Sequence, residues 1–495
     1  MKLKKLFKNI QQAQIKSSRD ISITGISTNS KLVVPGNLFI ARRGQSFDGA
    51  TFIPEALSAG ACAVLTDLYD PSLKQAVQVI HPNVASIEAQ VAAEYYQHPA
   101  EELFMVGITG TNGKTTTSFI VRYLLDQFRG PCGLIGTIEY IVGSQRYQAT
   151  RTTPEAATNH KMLREMCMHG CQSAIMEVTS HALVQGRVDM IAYDVAVFTN
   201  LTLDHLDYHQ TMDEYCLAKN ILFRQLGKEG SRKQFPRWAV VNYDDPWTPK
   251  MVEGCQSEIL TYGLGEGADL RALEIALERT GTRAKVVYQG VSYDCFWPLA
   301  GRFNVYNCLA GMAVGLIKGV PMVDLIEKMK KLPPVRGRLE PVTNELGKRI
   351  YVDFAHSDDA LKNVLETLNE VKKGRIITVF GCGGDRDRSK RPKMAAICEA
   401  YSDISIVTSD NPRSENPQKI CEEIVSGFKH TKSYLVEVDR RLAIKQAIEL
   451  CGPQDIVLIA GKGHETTQIF AHQTIKFDDV EVARTICHQL KHPHS

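Results

Sequence analysis

The sequence has little that would tie the protein to a membrane or to nucleic acid. No apolar run approaches the length of a membrane span, and polar residues follow the basic segment 1–8, where a signal peptide would have an apolar core. The formal net charge of +3 is small for 495 residues, which argues against the basic surface of a nucleic-acid-binding protein. We therefore expect a cytoplasmic protein without membrane insertion and without a nucleic-acid partner.

Clustered cysteines are also missing. The thirteen cysteines are odd in number and scattered, no CxxC pair occurs, and only Cys167 and Cys171 are close in sequence. This distribution argues against a cysteine zinc site and against a disulfide framework, so we expect mostly buried free thiols. The chain has no internal repeat and no low-complexity tract. Its length leaves room for about three globular domains.

The clearest motif that is present is a phosphate-binding loop. Residues 107–117 read GITGTNGKTTT, after the apolar run 103–106 and before the amphipathic segment 118–127. This order predicts a strand, a phosphate loop and a helix. An ordinary glycine-rich turn is the alternative interpretation.

The residues of this loop suit a nucleoside triphosphate. Gly110 and Gly113 let the backbone approach a polyphosphate, and Lys114 adds a mobile positive charge. Thr115 would place its hydroxyl on a magnesium ion. Ile108 stands where the usual pattern has its first glycine, so the match is imperfect.

Strand-like runs alternate with helical patterns along the rest of the chain, which predicts parallel sheets with ligands at the C-terminal strand ends. We predict an α/β protein of three domains: a small N-terminal α/β domain at 1–98, a central phosphate-loop domain with a parallel sheet at 99–333, and a C-terminal Rossmann-like α/β domain at 334–495. The strands are predicted at 132–138, 173–178, 195–201, 238–242, 350–354, 375–380, 404–407 and 456–460.

Polar residues follow several of these strands. Glu177 ends a strand beside the phosphate loop, where a carboxylate can hold magnesium against phosphate oxygens. The loop at 200–209 carries two aspartates and two histidines, for which a solvated surface is the alternative. Asn304 and Asn307 share one helix face, which suits either a purine edge or helix capping.

A lysine lies within an apolar helical stripe. Tyr215, Lys219 and Phe223 are spaced i, i+4, i+8, so they share one face of a helix predicted over 213–223. From the spacing alone, Lys219 is either a functional residue or a lysine whose aliphatic stem covers apolar surface.

Taken together, the motifs closely resemble the Mur ligases of peptidoglycan synthesis, and most closely the type that adds the third residue of the stem peptide. The resemblance extends from Ser30 to Glu465. The motifs that carry it, in order, are TGTNGKTTT, EVTSHALVQGRV, NLTLDHLDYH, YxxAKxxLF, GRFNVYN, GRLE, VDFAH, GCGGDRD, SDNPRSENP and AGKGHE.

The resemblance implies a reaction and a role for each domain. The N-terminal domain would bind the UDP end of the substrate, the central domain would be the ATPase, and the C-terminal domain would bind the amino acid. ATP would phosphorylate the D-glutamyl γ-carboxylate of UDP-N-acetylmuramoyl-L-alanyl-D-glutamate, and the amine of a diamino acid would attack the acyl phosphate. We expect a monomer.

The resemblance also implies a metal and nucleotide site. Lys219 matches a lysine that such ligases carry as a carbamate formed with carbon dioxide, and His205 matches a second metal ligand. Two magnesium ions would be held by Thr115, Glu177, His205 and the Lys219 carbamate, and the groups that act in catalysis would be Lys114, His205, Lys219 and Arg338. The ATP-binding positions are Gly110, Thr111, Asn112, Gly113, Lys114, Thr115, Thr116, Asn304, Asn307, Arg338 and Asp353.

The remaining matched positions concern the other two substrates. The sequence Asp410 to Arg413 has the form of enzymes that use meso-diaminopimelate, because a guanidinium can clamp the second carboxylate that lysine lacks. Among the UDP-substrate positions, Ser30, Gln45, Ser46 and Phe47 match uridine contacts, and Thr152, Thr153, Thr179, Gln185 and Arg187 match contacts to the muramoyl dipeptide. The amino-acid positions are Arg386, Asp410, Asn411, Pro412, Arg413, Gly461 and Glu465.

Two motifs depart from the family pattern. Asn29-Ser30-Lys31 replaces Asp-Ser-Arg, and Ser357-Asp358 stands where that pattern has Thr-Pro. Three alternatives remain at this point: a folylpolyglutamate synthetase, a lysine-adding ligase, and a phosphate-loop NTPase that acts as a switch. The switch would use only residues 107–117.

Overall fold

A computed structural model describes residues 1–44, 48–226, 236–278, 280–430 and 434–492. The chain forms two compact units, one of residues 1–261 and 313–319, the other of residues 262–312 and 320–495. In the described part of the chain, no helix is both long and apolar enough to cross a membrane. All thirteen cysteines are free and ten of them are buried, which confirms the expectation of buried thiols.

The first unit begins with a five-stranded sheet in the order β1-β5-β4-β3-β2. Strands β2 to β5 are parallel, and β1 pairs with β5 in the antiparallel direction. Strands β1 to β5 are Gln14–Lys16, Gly25–Ser27, Asn37–Ile40, Ala63–Thr66 and Val77–Ile80, helices α1 to α3 are Leu3–Leu6, Ile53–Ser58 and Val84–Tyr95, and short 3₁₀ helices are Ser30–Leu32, Gly49–Phe52 and Pro99–Glu101.

The second sheet of this unit contains the strand order β12-β11-β6-β10-β7-β8-β9. Its strands from β12 to β7 are parallel, and β8 and β9 continue as antiparallel strands. Strands β6 to β12 are Phe104–Thr109, Cys132–Ile135, Glu139–Val142, Gln145–Gln148, Ser173–Glu177, Val195–Phe198 and Trp238–Asn242; helices α4 to α9 are Lys114–Arg129, Ala156–Met168, Ser180–Val184, Leu206–His209, Met212–Gln225 and Thr248–Met251.

An antiparallel ladder of β14, β15 and β16 opens the second unit. The sequence interpretation placed helical patterns between its predicted strands and did not identify this ladder. Burial alternates along 270–274, and this period of two is typical of a strand. The elements along this part of the chain, of which residues 258–261 and 313–317 belong to the first unit, are β13 Glu258–Gly263, β14 Leu270–Glu278, β15 Gly281–Tyr288, β16 Val291–Trp297, α10 Arg302–Ile317 and α11 Met322–Met329.

A six-stranded sheet in the order β17-β18-β22-β19-β20-β21 forms the rest of the second unit. It is parallel except at β17. Strands β17 to β24 are Glu340–Pro341, Arg349–Asp353, Ile376–Phe380, Ile404–Val407, Tyr434–Val436, Ile456–Ala460, Thr467–Ile469 and Thr474–Lys476; helices α12 to α16 are Asp358–Val371, Lys390–Tyr401, Pro417–Val425, Arg440–Leu450 and Asp479–Lys491.

Helices cover both faces of this sheet. Ile376 and Phe380 pack into the core formed with α12, α13 and α14, whereas Ile377 and Val379 pack into the core formed with α15 and α16. Successive residues of a strand point to opposite faces, so a strand buried on both faces is apolar at every position. This explains why the predicted strands 404–407 and 456–460 agree with β20 and β22. The domain limits at residues 98 and 333 stay predictions.

Candidate active site

The phosphate loop lies between β6 and α4 and depends on its glycines. Gly110 has φ +145° and Gly113 has φ +85°, conformations that favour glycine. A Cβ atom on Gly110 would lie 1.9 Å from Thr199 Oγ1. The loop is held from β11 by Thr199 Oγ1, which donates to Asn112 O at 2.6 Å, and by Asn200 Oδ1, which accepts from Asn112 N at 2.9 Å.

The ammonium group of Lys114 lies close to the backbone of the phosphate loop. Lys114 Nζ donates to the carbonyl oxygens of Gly110 at 2.9 Å and Thr111 at 2.8 Å. Lys114 begins α4, where the amide groups of the first turn point toward the loop. Thr115 and Thr116 follow on α4 and are buried. The predicted order of strand, loop and helix is confirmed.

Glu177 is the centre of the hydrogen-bond network beside the loop. It is fully buried at the end of β10, and its carboxylate accepts from Thr115 Oγ1 at 2.8 Å. Thr137 donates to it twice, through its backbone N at 3.0 Å and its hydroxyl at 2.8 Å. The chain segment after β7 therefore holds Glu177 next to the phosphate loop. Thr137 had no recognisable signal in the sequence.

The predicted muramoyl-dipeptide residues are linked to Glu177 by hydrogen bonds. Thr153 Oγ1 donates to the backbone oxygen of Glu177 at 2.7 Å and lies 3.3 Å from Thr179 Oγ1. Thr179 caps the N-terminus of α6. Arg187 donates to the carbonyl oxygen of Thr153 at 3.2 Å and to Gln185 at 2.5 Å. The structure brings these four residues together. The hydroxyl oxygen of the fifth, Thr152, lies 3.1 Å from the hydroxyl oxygen of Thr137.

Arg187 belongs to a cluster of arginine and glutamate side chains. Glu155 accepts from Arg42 at 2.5 Å and from Arg151 at 2.7 Å, and it lies 3.5 Å from Arg187 Nε. Arg42 also bonds the buried carboxylate of Glu88 at 3.1 Å. The sequence interpretation missed this cluster, because its members come from four separate segments of the chain.

Lys219 is buried on α8. It is 1% exposed, its Nζ donates to Gly110 O at 2.9 Å, and it lies 4.5 Å above the Tyr215 ring. Burial, reinforced by the charge of Lys114, holds the pKa of Lys219 well below its ordinary value. A lysine that only covers apolar surface would keep its ammonium group in water. The burial of Nζ beside the phosphate loop favours the functional interpretation.

His205 belongs to an aromatic cluster on the other side of Tyr215. Its ring lies 5.9 Å from that of Tyr215 and 5.0 Å from that of His181. Desolvation, together with the neighbouring His181 and the charge of Lys114, lowers the pKa of His205 to about 4, although Asp204 opposes the shift. Its φ of +55° is rare for a residue with a side chain, and such strain often occurs at functional sites.

The oxygen atoms at and beside Glu177 are suitable ligands for a magnesium ion. Magnesium prefers oxygen ligands, and Thr115 Oγ1 and the Glu177 carboxylate already lie 2.8 Å apart. Lys219 is buried without a carboxylate among its described hydrogen bonds, which is the setting in which an amine can be converted to a carbamate. The residue types present therefore fit the metal that the family resemblance implies.

Four predicted nucleotide residues belong to the second unit. Asn307 Nδ2 donates to Asn304 Oδ1 at 3.0 Å on α10, and both side chains are buried. Arg338 lies 5.0 Å from the ring centre of Phe354. Burial raises the pKa of Asp353, while Arg338 opposes that shift. The predicted helix that carries Asn304 and Asn307 is confirmed as α10.

The predicted amino-acid pocket gathers the C-terminal ends of β19, β20 and β22 and the loops after them. Asn411 Nδ2 donates to Glu465 Oε2 at 2.7 Å. Gly461 has φ +113°, and a Cβ atom there would lie 2.6 Å from Asp410 Oδ2. Arg413 has φ +52° and donates to Gly384 O at 2.7 Å. Pro412 is buried and Arg386 is exposed.

Three buried cations support this pocket, and the sequence interpretation had not singled them out. Lys462 donates to Asn411 Oδ1 at 3.1 Å and to Glu465 Oε2 at 3.0 Å. Arg391 holds Glu415 at 2.8 Å, and this contact lowers the pKa of Glu415 to about 2. Arg440 donates to two carbonyl oxygens, that of Ser409 in the loop after β20 at 3.3 Å and that of Ala460 at the end of β22 at 3.0 Å.

The predicted uridine residues are only partly described. Ser30 Oγ donates to Glu55 Oε2 at 2.6 Å and is 6% exposed. Asn29 accepts from Lys31 N at 3.0 Å, so the asparagine supplies the capping oxygen that an aspartate would supply. Gln45, Ser46 and Phe47 lie outside the described residues.

Protein-family models match the chain in three places. The Mur ligase family catalytic domain matches residues 22–100, the Mur ligase middle domain matches 108–315, and the Mur ligase glutamate ligase domain matches 337–463. A curated relative from Chlamydia pneumoniae, named UDP-N-acetylmuramoyl-L-alanyl-D-glutamate--2,6-diaminopimelate ligase, is 42% identical over 494 residues, 99% of each chain.

Solved structures agree with this match. A structure that carries the same enzyme name is 32% identical, with a TM-score of 0.67, and the match covers 95% of this chain and 96% of that one. The MurF ligase from Thermotoga maritima in complex with ADP, at 20% identity, has the same fold, with a TM-score of 0.66 and coverage of 95% and 98%. These matches along the whole length confirm the three-domain α/β fold and the family resemblance: the chain belongs to the Mur ligase family.

Proposed function

We propose that the protein is an ATP-dependent ligase that joins meso-diaminopimelate to UDP-N-acetylmuramoyl-L-alanyl-D-glutamate in peptidoglycan precursor synthesis. The observation that carries the proposal is the position of Glu177. Its carboxylate accepts from Thr115 of the phosphate loop, and its backbone oxygen accepts from Thr153, which is matched to the dipeptide substrate. ATP and a substrate carboxylate can thus be held beside the same residue.

The proposed chemistry needs two steps. The bond between the γ-phosphorus and ADP breaks as an oxygen of the D-glutamyl γ-carboxylate binds that phosphorus, which gives an acyl phosphate. The amine nitrogen then attacks the acyl carbon, phosphate leaves, and the nitrogen loses a proton. Lys114, beside the loop carbonyls, would stabilise the transferring phosphoryl group, and Arg338 is proposed to assist on the nucleotide side.

The metal ligands in this proposal are Thr115, Glu177, His205 and Lys219 as a carbamate. Two magnesium ions would neutralise charge on the γ-phosphate and the acyl group. Lys219 supports this role because its lowered pKa leaves more of the amine neutral and able to react with carbon dioxide. Glu177 supports it because its carboxylate is positioned by Thr137 against the phosphate loop.

Selectivity for the amino acid is proposed to reside in the pocket at 410–413. Arg413 would clamp the second carboxylate of diaminopimelate with two hydrogen bonds. Lysine lacks that carboxylate and would leave the guanidinium without its partner. Sites built around such a polar group reject the analogue that lacks it by on the order of 10⁴-fold.

The proposal extends to domain roles and setting. Residues 1–98 are proposed to bind the uridine end of the substrate, 99–333 to bind ATP, and 334–495 to bind diaminopimelate. We place the reaction in the cytoplasm, because ATP and UDP-linked precursors are found there, and we propose that the protein acts as a monomer.

The test is phosphate release by the full-length protein. Release should require both the UDP-muramoyl dipeptide and meso-diaminopimelate, and kcat/KM with L-lysine should be lower by on the order of 10⁴-fold. Arg413→Ala should raise the KM for diaminopimelate far more than that for ATP. Arg388→Ala is the matched control, because Arg388 is an exposed arginine of a neighbouring loop that pairs with Glu423. Release without the dipeptide or a diamino acid would disprove the ligase assignment.

A further inference from the structure

His488 in the last turn of α16 and His492, the residue directly after that helix, lie beside a glutamate from another segment. His488 and His492 are spaced i, i+4, and their ring centres lie 4.9 Å apart. Glu345 contacts both of them: His488 Nδ1 lies 3.1 Å from its Oε1, and His492 Nε2 lies 3.2 Å from its Oε2. One ligand atom from each residue lies within 4.8 Å of the other two. No other group of three His, Cys, Asp or Glu side chains within the described ranges has this property.

The segment that carries Glu345 is held in place independently of the histidines. It is the turn at 342–348 between β17 and β18. The Asn344 side chain donates to Val342 O at 2.9 Å and to Lys348 O at 2.7 Å, and it accepts from Lys348 N at 3.1 Å. The turn therefore positions Glu345 against α16 before any ligand binds, which lowers the entropic cost of binding.

The three side chains match the ligand chemistry of a transition metal. Imidazole nitrogen and carboxylate oxygen bind zinc at about 2.0 to 2.2 Å, so two ligands of one tetrahedral ion lie on the order of 3.4 Å apart. The two nitrogen-to-oxygen distances, 3.1 and 3.2 Å, are already close to that separation. An ion would replace the ring protons that now form these two hydrogen bonds, and it would draw together the three ligand atoms, which already lie within 4.8 Å of one another.

Access and charge also favour a cation. Glu345, His488 and His492 are each about half exposed, at 46, 55 and 45%, so an ion with water in its fourth position can reach them. The Glu345 carboxylate contributes a negative charge to the site. Lys491 Nζ, 3.5 Å from Glu345, is the competing cation, and its flexible side chain can move into solvent.

We propose that Glu345, His488 and His492 form a binding site for a divalent transition-metal ion, and that zinc is the ion they suit best. The ion ties the last turn of α16 to the 342–348 turn. None of its ligands is among the residues proposed to bind ATP, magnesium or diaminopimelate, so the site is independent of the proposed ligase reaction. Because the unfolded chain lacks the assembled ligands, zinc binding stabilises the folded protein.

The test is calorimetric titration of zinc into the full-length protein with magnesium in excess. The wild type should bind one zinc ion that a His488→Ala/His492→Ala variant does not bind. Glu345→Gln should weaken that site by at least about tenfold, since even the outer partners of metal ligands contribute about 10- to 100-fold. His430→Ala is the matched control, because exposed His430 faces a single carboxylate, Glu399, at 3.7 Å.

Two further readouts separate this site from the cysteines and from a folding defect. Cobalt bound at the site should give a visible spectrum of nitrogen and oxygen ligands without a thiolate charge-transfer band. Zinc should raise the unfolding temperature of the wild type and of His430→Ala, but not that of the double variant. Equal zinc stoichiometry and affinity in the wild type and the double variant would overturn the proposal, as would a thiolate spectrum.

Discussion

The residue that best distinguishes this site from an ordinary phosphate loop is Lys219. Its spacing in the sequence was compatible with either a functional or a covering role, because helical periodicity gives the face but not the depth of a side chain. The structure adds the depth: Nζ is buried and donates to Gly110 O at 2.9 Å. The amine and the phosphate loop are therefore in direct contact.

The buried amine should give stability a pH dependence. The pKa of Lys219 is lower in the folded chain than in the unfolded chain, so the unfolded chain binds more protons between the two values, and the free energy of unfolding rises with pH there. That window ends near the ordinary lysine value of 10.5. In buffer free of carbon dioxide, we therefore expect the free energy of unfolding to rise less for Lys219→Met than for the wild type as the pH increases from about 7 to about 9.

Urea titrations at several pH values measure this difference. Lys161→Met, at an exposed position of α5, is the matched control and should retain the wild-type pH slope. An identical slope in the wild type and Lys219→Met would show that Lys219 does not lose its proton on folding.

The carbamate proposal predicts a different result for activity. Lys219→Ala should lose most turnover, and short carboxylates such as acetate should restore part of it, because they can supply the missing oxygen ligand. Phosphate release measured with and without acetate gives the result. Unimpaired turnover would exclude the role of Lys219 as a metal ligand.

Lys462 should be a positioning residue of the amino-acid pocket. It is fully buried and links Asn411 to Glu465. Lys462→Met should remove one of the donors to each of these acceptors and the donor to Thr467 O, at a cost of about 1 to 3 kcal/mol. We expect the KM for diaminopimelate to rise at least several-fold more than the KM for ATP. Equal changes in both KM values would indicate a general loss of folding.

There is a physical difference between the site residues that the sequence predicted and those that it left unpredicted. Asp410, Asn411 and Glu465 belong to short motifs that can be recognised one segment at a time. Lys462 also lies in such a motif, AGKGHE, but the motif does not show its contact with Asn411, 51 residues away; Arg440 lies in no quoted motif and bonds Ser409, 31 residues away. Contacts of that kind follow from the order of strands in the sheet, which local patterns do not provide.

At the scale of elements, buried parallel strands were the easiest to predict and the antiparallel ladder the hardest. Strands β12, β20 and β22 agree with their predicted limits because both faces are largely buried and every position except Asn242 and Ser405 is apolar. Strands β14 to β16 have partly exposed faces and mixed composition. Their pairing is determined by cross-strand neighbours, which a single sequence does not show.

The start of α12 explains one departure from the family pattern and predicts its effect. Ser357 caps the helix by accepting from Ala360 N at 3.3 Å, and Asp358 is the first helical residue, where the usual motif has proline. Ser357→Ala should destabilise the protein by about 0.5 to 2 kcal/mol. Asp358→Pro should stay within about 0.5 kcal/mol of the wild type, because proline is accepted at the first helical position. Urea unfolding measures both; a large loss in Asp358→Pro would contradict this account of α12.

At the scale of the whole molecule, the three tryptophans are divided between the two compact units. Trp238 and Trp247 belong to the first unit and Trp297 to the second. In the second unit, the buried pair of Arg440 and Asp479, 2.7 Å apart, joins α15 to α16. Removing one partner of a buried pair leaves an uncompensated charge and costs about 3 to 5 kcal/mol.

Asp479→Asn should therefore lower the stability of the second unit more than that of the first. The two tryptophan groups can be followed separately in variants that keep either Trp297 alone or Trp238 and Trp247. Fluorescence-monitored urea unfolding should show the Trp297 transition moved to lower urea by Asp479→Asn, with a smaller shift for Trp238 and Trp247.

The double variant Arg440→Met/Asp479→Leu should lose less stability than Asp479→Asn, because apolar side chains leave no buried charge unpaired. Identical shifts for both tryptophan groups would instead show that the chain unfolds as one cooperative unit.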